Sequence, residues 1–354
     1  MIRTCRAVML TVAPFLLVGP MVAVAQEPEH DAPADQMQAS ELFQVTANPD
    51  EGSIVIRVGP VALDASAGHV RLPIETVEIP VAGWLHGFDW NLEDGDGRPL
   101  PADLLHHVNL IDPDRRELFT PVARRIMAAG RETPGQQLPK MIGYPLESGT
   151  RLLVLVMLAT PEEDLDEVYL NVRLSYTDLD LAAGEPRTMY PFWVDVTGPV
   201  GAKDFPLPPG RTVVAWEGSP AIDATIMALG GHLHDYGEEI RLEDVTEGSV
   251  LWSKRPEATA DGHLTTMGTD VLIGSGGIKL VTSHTYRIVV EYENPLSEAA
   301  PEAGMGAIGG IVLAESGIVF PPLDPDDEDY RADLKNTMES PSLAGHAAVR
   351  EHQR

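Results

Sequence analysis

The chain has 354 residues, a single cysteine and a formal net charge of -29. So acidic a balance argues against nucleic acid and anionic membrane surfaces as partners. Cys5 stands at the very start, so the rest of the chain offers no disulfide, no thiolate metal site and no cysteine nucleophile.

Arg3 and Arg6 precede an apolar run over residues 7–18, and Ala23-Val24-Ala25 reads as a small-residue cleavage site. Residues 1–25 are therefore expected to be a secretory signal peptide, and the protein periplasmic or secreted. The run is short and broken by Pro14, Gly19 and Pro20, so no membrane anchor is expected. Residues 26–44 read as an acidic linker, and residues 321–354, with the run Asp324-Pro325-Asp326-Asp327-Glu328-Asp329, as an acidic disordered tail.

Between them lie short runs rich in β-branched and aromatic residues, separated by Gly, Pro, Asp and Asn. Strands are expected at 53–58, 69–79, 105–111, 152–159, 168–176, 190–196, 212–216, 251–254, 278–282, 286–292 and 308–313. Residues 121–129 are the one helix candidate, with Arg124 and Arg125 on its polar side. The dense Pro and Gly of Thr197-Gly198-Pro199-Val200-Gly201 and Pro206-Leu207-Pro208-Pro209-Gly210 suggest a domain boundary. The expectation is all-β: two jelly-roll β-sandwiches in tandem, residues 45–198 and 199–320.

Three short motifs carry chemistry. Gly230-Gly231-His232-Leu233-His234-Asp235-Tyr236-Gly237 lies between the β-prone runs 224–229 and 240–245. On a strand His232 and His234 share a face, with Leu233 turned away, and offer two imidazoles to one metal ion. An exposed or hydrogen-bonded pair is the plainer reading of such a motif. His106-His107 are neighbours in a strand run, so both face one metal only at a bulge or bend. Met305, in Gly304-Met305-Gly306-Ala307, is a thioether that either fills a core gap or binds a soft metal.

In this order His-His, His-x-His and Met resemble the copper type II, ascorbate-dependent monooxygenases, the family of peptidylglycine α-hydroxylating and dopamine β-monooxygenase. The separations from His107 to His232 and from His234 to Met305 suit that family. Leu138-Pro139-Lys140 with Gly143-Tyr144, Pro208-Pro209-Gly210, and Gly237 after the His-x-His are further matches. The resemblance spans roughly residues 50 to 320. It implies one copper in each sandwich across a solvated cleft. His232, His234 and Met305 would form the dioxygen-activating site, and His106 and His107 would help hold the electron-supplying copper. It further implies an external reductant such as ascorbate and a small-molecule or peptide substrate hydroxylated at a C–H bond.

The chain departs from that family at several points. The position of the first copper's third ligand is occupied by Met157 in place of histidine. Gly230 replaces the arginine that binds a substrate carboxylate, and Ala307 and Gly309 replace an asparagine and a tyrosine. These changes argue against a peptidylglycine substrate and leave open a non-catalytic copper carrier or a metal-free β-sandwich module. A cupin-like reading, with Glu239 as the ligand after His-x-His and His263 or His284 in support, is a further metal alternative.

Overall fold

A computed structural model describes residues 42–339, apart from 67, 134, 179–185, 201, 261, 301–303 and 316. The expected signal peptide, with Cys5, lies outside the described residues, as does most of the acidic linker.

The fold is all-β. In the first half, eight of the strands build the sandwich, in chain order Ser53–Leu63, Glu75–Glu78, Gly83–Asp94, Leu105–Arg116, Ala123–Ala129, Ile142–Leu146, Arg151–Leu158 and Leu165–Asp178. The first, eighth, third and sixth lie side by side in one sheet, and the second, seventh, fourth and fifth in the other. That is the strand order of a jelly roll. The second half repeats it. Tyr190–Asp195, Gly304–Ala314 and Ala224–Leu233 lie side by side, with Thr269–Val271 and Ile278–Leu280 both pairing the last of these. Gly210–Gly218, Tyr286–Asn294, Gly237–Asp244 and Ser249–Lys254 make the facing sheet.

Each sandwich closes on its own apolar core. In Leu165–Asp178 the residues Val168, Leu170, Val172, Leu174 and Tyr176 are buried while their neighbours are less so, the period of a strand with one face on a core. They meet Val108, Leu110, Val154 and Val156 of the facing sheet. The second core joins Ile226, Leu229 and Ile308 to Ile240, Ile288 and Val290. Leu118 and Phe119, between two strands of the first sandwich, are buried in the second core. Beside them the buried Glu117 accepts hydrogen bonds from the backbone N–H of Arg125 (2.6 Å) and of Trp193 (3.0 Å), so one carboxylate ties the two sandwiches together.

Four expectations need correction. Residues 121–129 form no helix: Ala123–Ala129 is a strand paired with Leu105–Arg116, and Arg124 is fully buried with its guanidinium 4.2 Å from the centre of the Phe320 ring. The boundary at 198 falls too late, because Tyr190–Asp195 already pairs with Gly304–Ala314 of the second sandwich. Strand Gly83–Asp94, unexpected from the sequence, runs through the first sheet, paired with Leu165–Asp178 on one side. Finally, the acidic tail contains a helix, Glu328–Glu339. Its Tyr330 and Leu334 pack on Ile111, Ala123 and Leu153 at the outer face of the first sandwich, and Asp333 pairs with Arg125 at 3.2 Å.

Burial pushes the Glu117 carboxyl up to about 7, against the pull of Arg124 and the backbone donors of Arg125 and Trp193. A carboxyl raised on folding favours the native state fully below its unfolded value near 4.5, and that contribution is lost as pH rises through 7. Stability measured by urea unfolding should therefore decline across this window. Glu117→Gln should flatten the decline; an unchanged slope would show that Glu117 ionises alike in both states.

Candidate metal site between the sandwiches

The strand Leu105–Arg116 opens with a bulge. Met157 of the neighbouring strand stands opposite His107, but Leu158 stands opposite Leu105, so His106 is the extra residue. Leu105 and Val108 both point into the core. Between them, His106 and His107 both turn outward, which neighbouring residues of a regular strand cannot do. Residues directly opposite in an antiparallel pair share a face, so Met157 lies beside His107 on that outer surface.

The second sandwich supplies its histidines by simple alternation. Leu229 and Leu233 point into the core, His232 projects from the other face of the strand Ala224–Leu233, and His234 follows just past its end. His232 is opposite Ala307, and Leu233 opposite Gly306. Continued by one residue, this register places Met305 across from His234, on the histidine face. Here the ladder is bridged by a side chain. The Tyr292 hydroxyl accepts from the backbone N–H of His234 (2.9 Å) and of Met305 (3.2 Å) and donates to the Met305 carbonyl. The strand then ends in a turn at Tyr236, which holds a left-handed φ of 69°.

The two histidine pairs come together in one cluster. Ligand nitrogens of His106, His107 and His234 all lie within 4.8 Å of one another, and His107 Nε2 is 3.2 Å from His232 Nε2. Two nitrogens bound about 2.0 Å from a tetrahedral ion are about 3.3 Å apart, so that spacing is one ligand pairs adopt. The arrangement differs from the solvated cleft that the resemblance implies: His107 and His232, from different sandwiches, are in contact. His69, which the sequence reading did not single out as a ligand, stacks on His106 with ring centres 4.1 Å apart.

Electrostatics disfavour the charged forms of His106 and His107. Burial, then the neighbouring His69, His234, His232 and Arg131, lowers His106 to about 3, and burial with His232 and His106 holds His107 well below the usual imidazole range. Both offer lone pairs at neutral pH, the form a metal needs.

Arg131 and Glu132, consecutive residues of the first sandwich, reach into the second on either side of His234. Glu132 Oε1 lies 2.7 Å from His232 Nδ1, and Arg131 Nη2 lies 2.9 Å from Asp235 Oδ1. Burial alone would raise the Glu132 carboxyl, but its contact with His232, together with the Thr133 hydroxyl, brings it down to about 2. Asp235 also accepts from the Leu264 backbone N–H (2.8 Å) and contacts His263 Nδ1 at 2.8 Å. Nothing in sequence distinguishes Glu132: it sits among Gly, Thr and Pro in what reads as an ordinary turn.

The residues of the cupin-like alternative do not join the cluster. Glu239 faces Arg241 at 3.6 Å, His263 is engaged by Asp235, and His284 Nδ1 lies 2.7 Å from Asp244. The positions that depart from the monooxygenase pattern are packed. A side chain on Gly230 would come within 3.1 Å of the Gly268 carbonyl, one on Gly309 within 2.9 Å of the Trp193 ring, and Ala307 is fully buried.

Tyr292→Phe would leave His234 N–H, Met305 N–H and the Met305 carbonyl without their shared partner. Chemical denaturation should record a loss of about 2 kcal/mol. No loss would mean that these backbone groups find other partners at no cost.

No family model matches the chain, and no curated protein matches it in sequence. Among solved structures, the major capsid protein P2 from bacteriophage PM2 is similar over 71% of this chain and 99% of its own, at 10% identity and a TM-score of 0.33. A chain of Sulfolobus turreted icosahedral virus is similar over 74% and 91%, at 9% identity and a TM-score of 0.32. PNGF-II is similar over 84% and 65%, at 11% identity and a TM-score of 0.29. The chain is an all-β protein built on jelly-roll β-sandwiches, and likeness at this level assigns it no function.

Proposed function

We propose that this β-sandwich protein is an exported copper-binding protein whose site is assembled from both sandwiches and holds one ion. The observation that carries the reading is the convergence of His106, His107 and His234 within 4.8 Å, two from one sandwich and one from the other. The donor set fits copper. Imidazole suits both of its oxidation states, and thioethers favour Cu(I). Met157 stands opposite His107, and the Tyr292 hydroxyl links the backbones of Met305 and His234. His232 adjoins the trio through His107, and Arg131 lines the pocket.

A second reading is favoured by one feature: the His232, His234 and Met305 set, which resembles the oxygen-activating site of the copper monooxygenases, shares one face of one sheet. An enzyme of that kind would convert a substrate C–H bond, dioxygen, two electrons and two protons into the alcohol and water. An external reductant such as ascorbate would supply the electrons. The packed positions at Gly230, Ala307 and Gly309 support a substrate other than a C-terminal glycine peptide.

Anaerobic titration with Cu(I), with metal content measured after desalting, tests the main reading. One ion per chain is expected. It should be lost both in the double variant His106→Ala, His107→Ala and in the double variant His232→Ala, His234→Ala. Two ions lost independently would overturn the composite site in favour of one copper per sandwich. No bound copper would leave a metal-free binding module. Uptake of labelled oxygen into product with ascorbate present would separate the enzyme from the carrier.

A further inference from the structure

The Glu132 carboxylate of the first sandwich is in direct contact with the histidine cluster, through His232 of the second. It is buried, and so is its partner: their side chains are 5% and 8% exposed. Glu132 Oε1 lies 2.7 Å from His232 Nδ1 and already accepts from the Thr133 hydroxyl, so this oxygen is placed as an acceptor and the proton of the contact belongs on His232 Nδ1. A neutral His232 then carries its lone pair on Nε2, which is the atom 3.2 Å from His107 Nε2.

The carboxylate is itself built into place. Gly130 N–H donates to Thr133 Oγ1 (3.2 Å), and the Thr133 hydroxyl donates to Glu132 Oε1 (3.1 Å). Thr133 N–H closes the turn on the Gly130 carbonyl at 3.0 Å. A side chain at Gly130 would come within 2.6 Å of Glu132 Oε2 and 3.0 Å of the His106 carbonyl, so only glycine lets the acid sit this close to the bulge. From the second sandwich, Thr266 Oγ1 reaches the Glu132 carbonyl at 3.4 Å.

We infer that Glu132 is a positioning residue, supplied by the first sandwich, that fixes His232 of the second as the Nδ1–H tautomer and turns its Nε2 toward the metal cluster. A carboxylate behind a ligating imidazole locks the ring and raises its basicity. The purpose of this device rests on the metal-site reading above; the orientation itself does not. Because holder and held belong to different sandwiches, His232 is presented correctly only while the two are docked.

The tautomer is read first, by nitrogen NMR of the metal-free full chain labelled at histidine. The wild type should show His232 protonated at Nδ1, and protonation at Nε2 would overturn the inference whatever any variant does. Cu(I) affinity is then compared in wild type, Glu132→Ala and Glu132→Gln. Glu132→Ala should weaken binding about 10- to 100-fold and release the tautomer preference. Glu132→Gln keeps an acceptor oxygen and should recover most of both. A merely structural Glu132 would lower the melting temperature of Glu132→Ala while leaving the tautomer unchanged, and that result would also overturn it. If the wild type binds no copper, the proposed function fails while the tautomer measurement still decides what Glu132 does to His232.

Discussion

Arg131 and Glu132 grip the second sandwich on both sides of His234, through Asp235 and His232. The site depends on this grip and on the docking of the sandwiches that it reinforces. Undocked, the molecule would be two jelly rolls, each with a pair of histidines on an outer face. Docked, four imidazoles are drawn from water into one cluster. Removing polar rings from water has a cost that needs compensating hydrogen bonds or a ligand. Within the cluster that compensation includes one carboxylate, one contact between histidines and ring stacking. A metal ion bound by three or four of these nitrogens would offset the same cost in a single step, and any ligand that binds only the docked form stabilises it by mass action.

The docking is secured well away from the histidines too. Leu118 and Phe119 of the first sandwich complete the apolar core of the second, and Glu117 beside them is hydrogen-bonded by backbone from both. The C-terminal helix Glu328–Glu339 returns from the second sandwich to the outer face of the first, where Arg71 donates to the Thr337 carbonyl. Arg71 is also the register partner of Met157, the neighbour of His107. The strand that borders the bulge is therefore flanked on its outer face by the helix Glu328–Glu339.

Much of this was legible in the sequence where side-chain periodicity decides the matter. Two histidines flanking one leucine had to share a strand face, and adjacent histidines could share one only at a bulge; both geometries occur. The placement of Met157 and Met305 depends on pairing register, which follows from partners distant in sequence. What misled was local propensity. Strand Gly83–Asp94 contains glycines, Asp89 and Asn91, poor strand formers, yet ladder partners on both sides fix it in place. Ala123–Ala129 has the alanines of a helix and is held as a strand by the pairing with Leu105–Arg116. The run of prolines and glycines after residue 197 marks the passage between the first two strands of the second sandwich. In the acidic tail, Tyr330 and Leu334 stand four apart, enough for one helical stripe on the first sandwich. Glu132 had no sequence signal, because its importance comes from a histidine 100 residues away.

The proposed site holds one metal ion between the sandwiches, bound by histidines of both. Anomalous diffraction at the copper edge from crystals of the copper-loaded protein should show a single peak among His106, His107 and His234. Two separated peaks, one on each sandwich, or a peak with ligands from one sandwich alone, would contradict it.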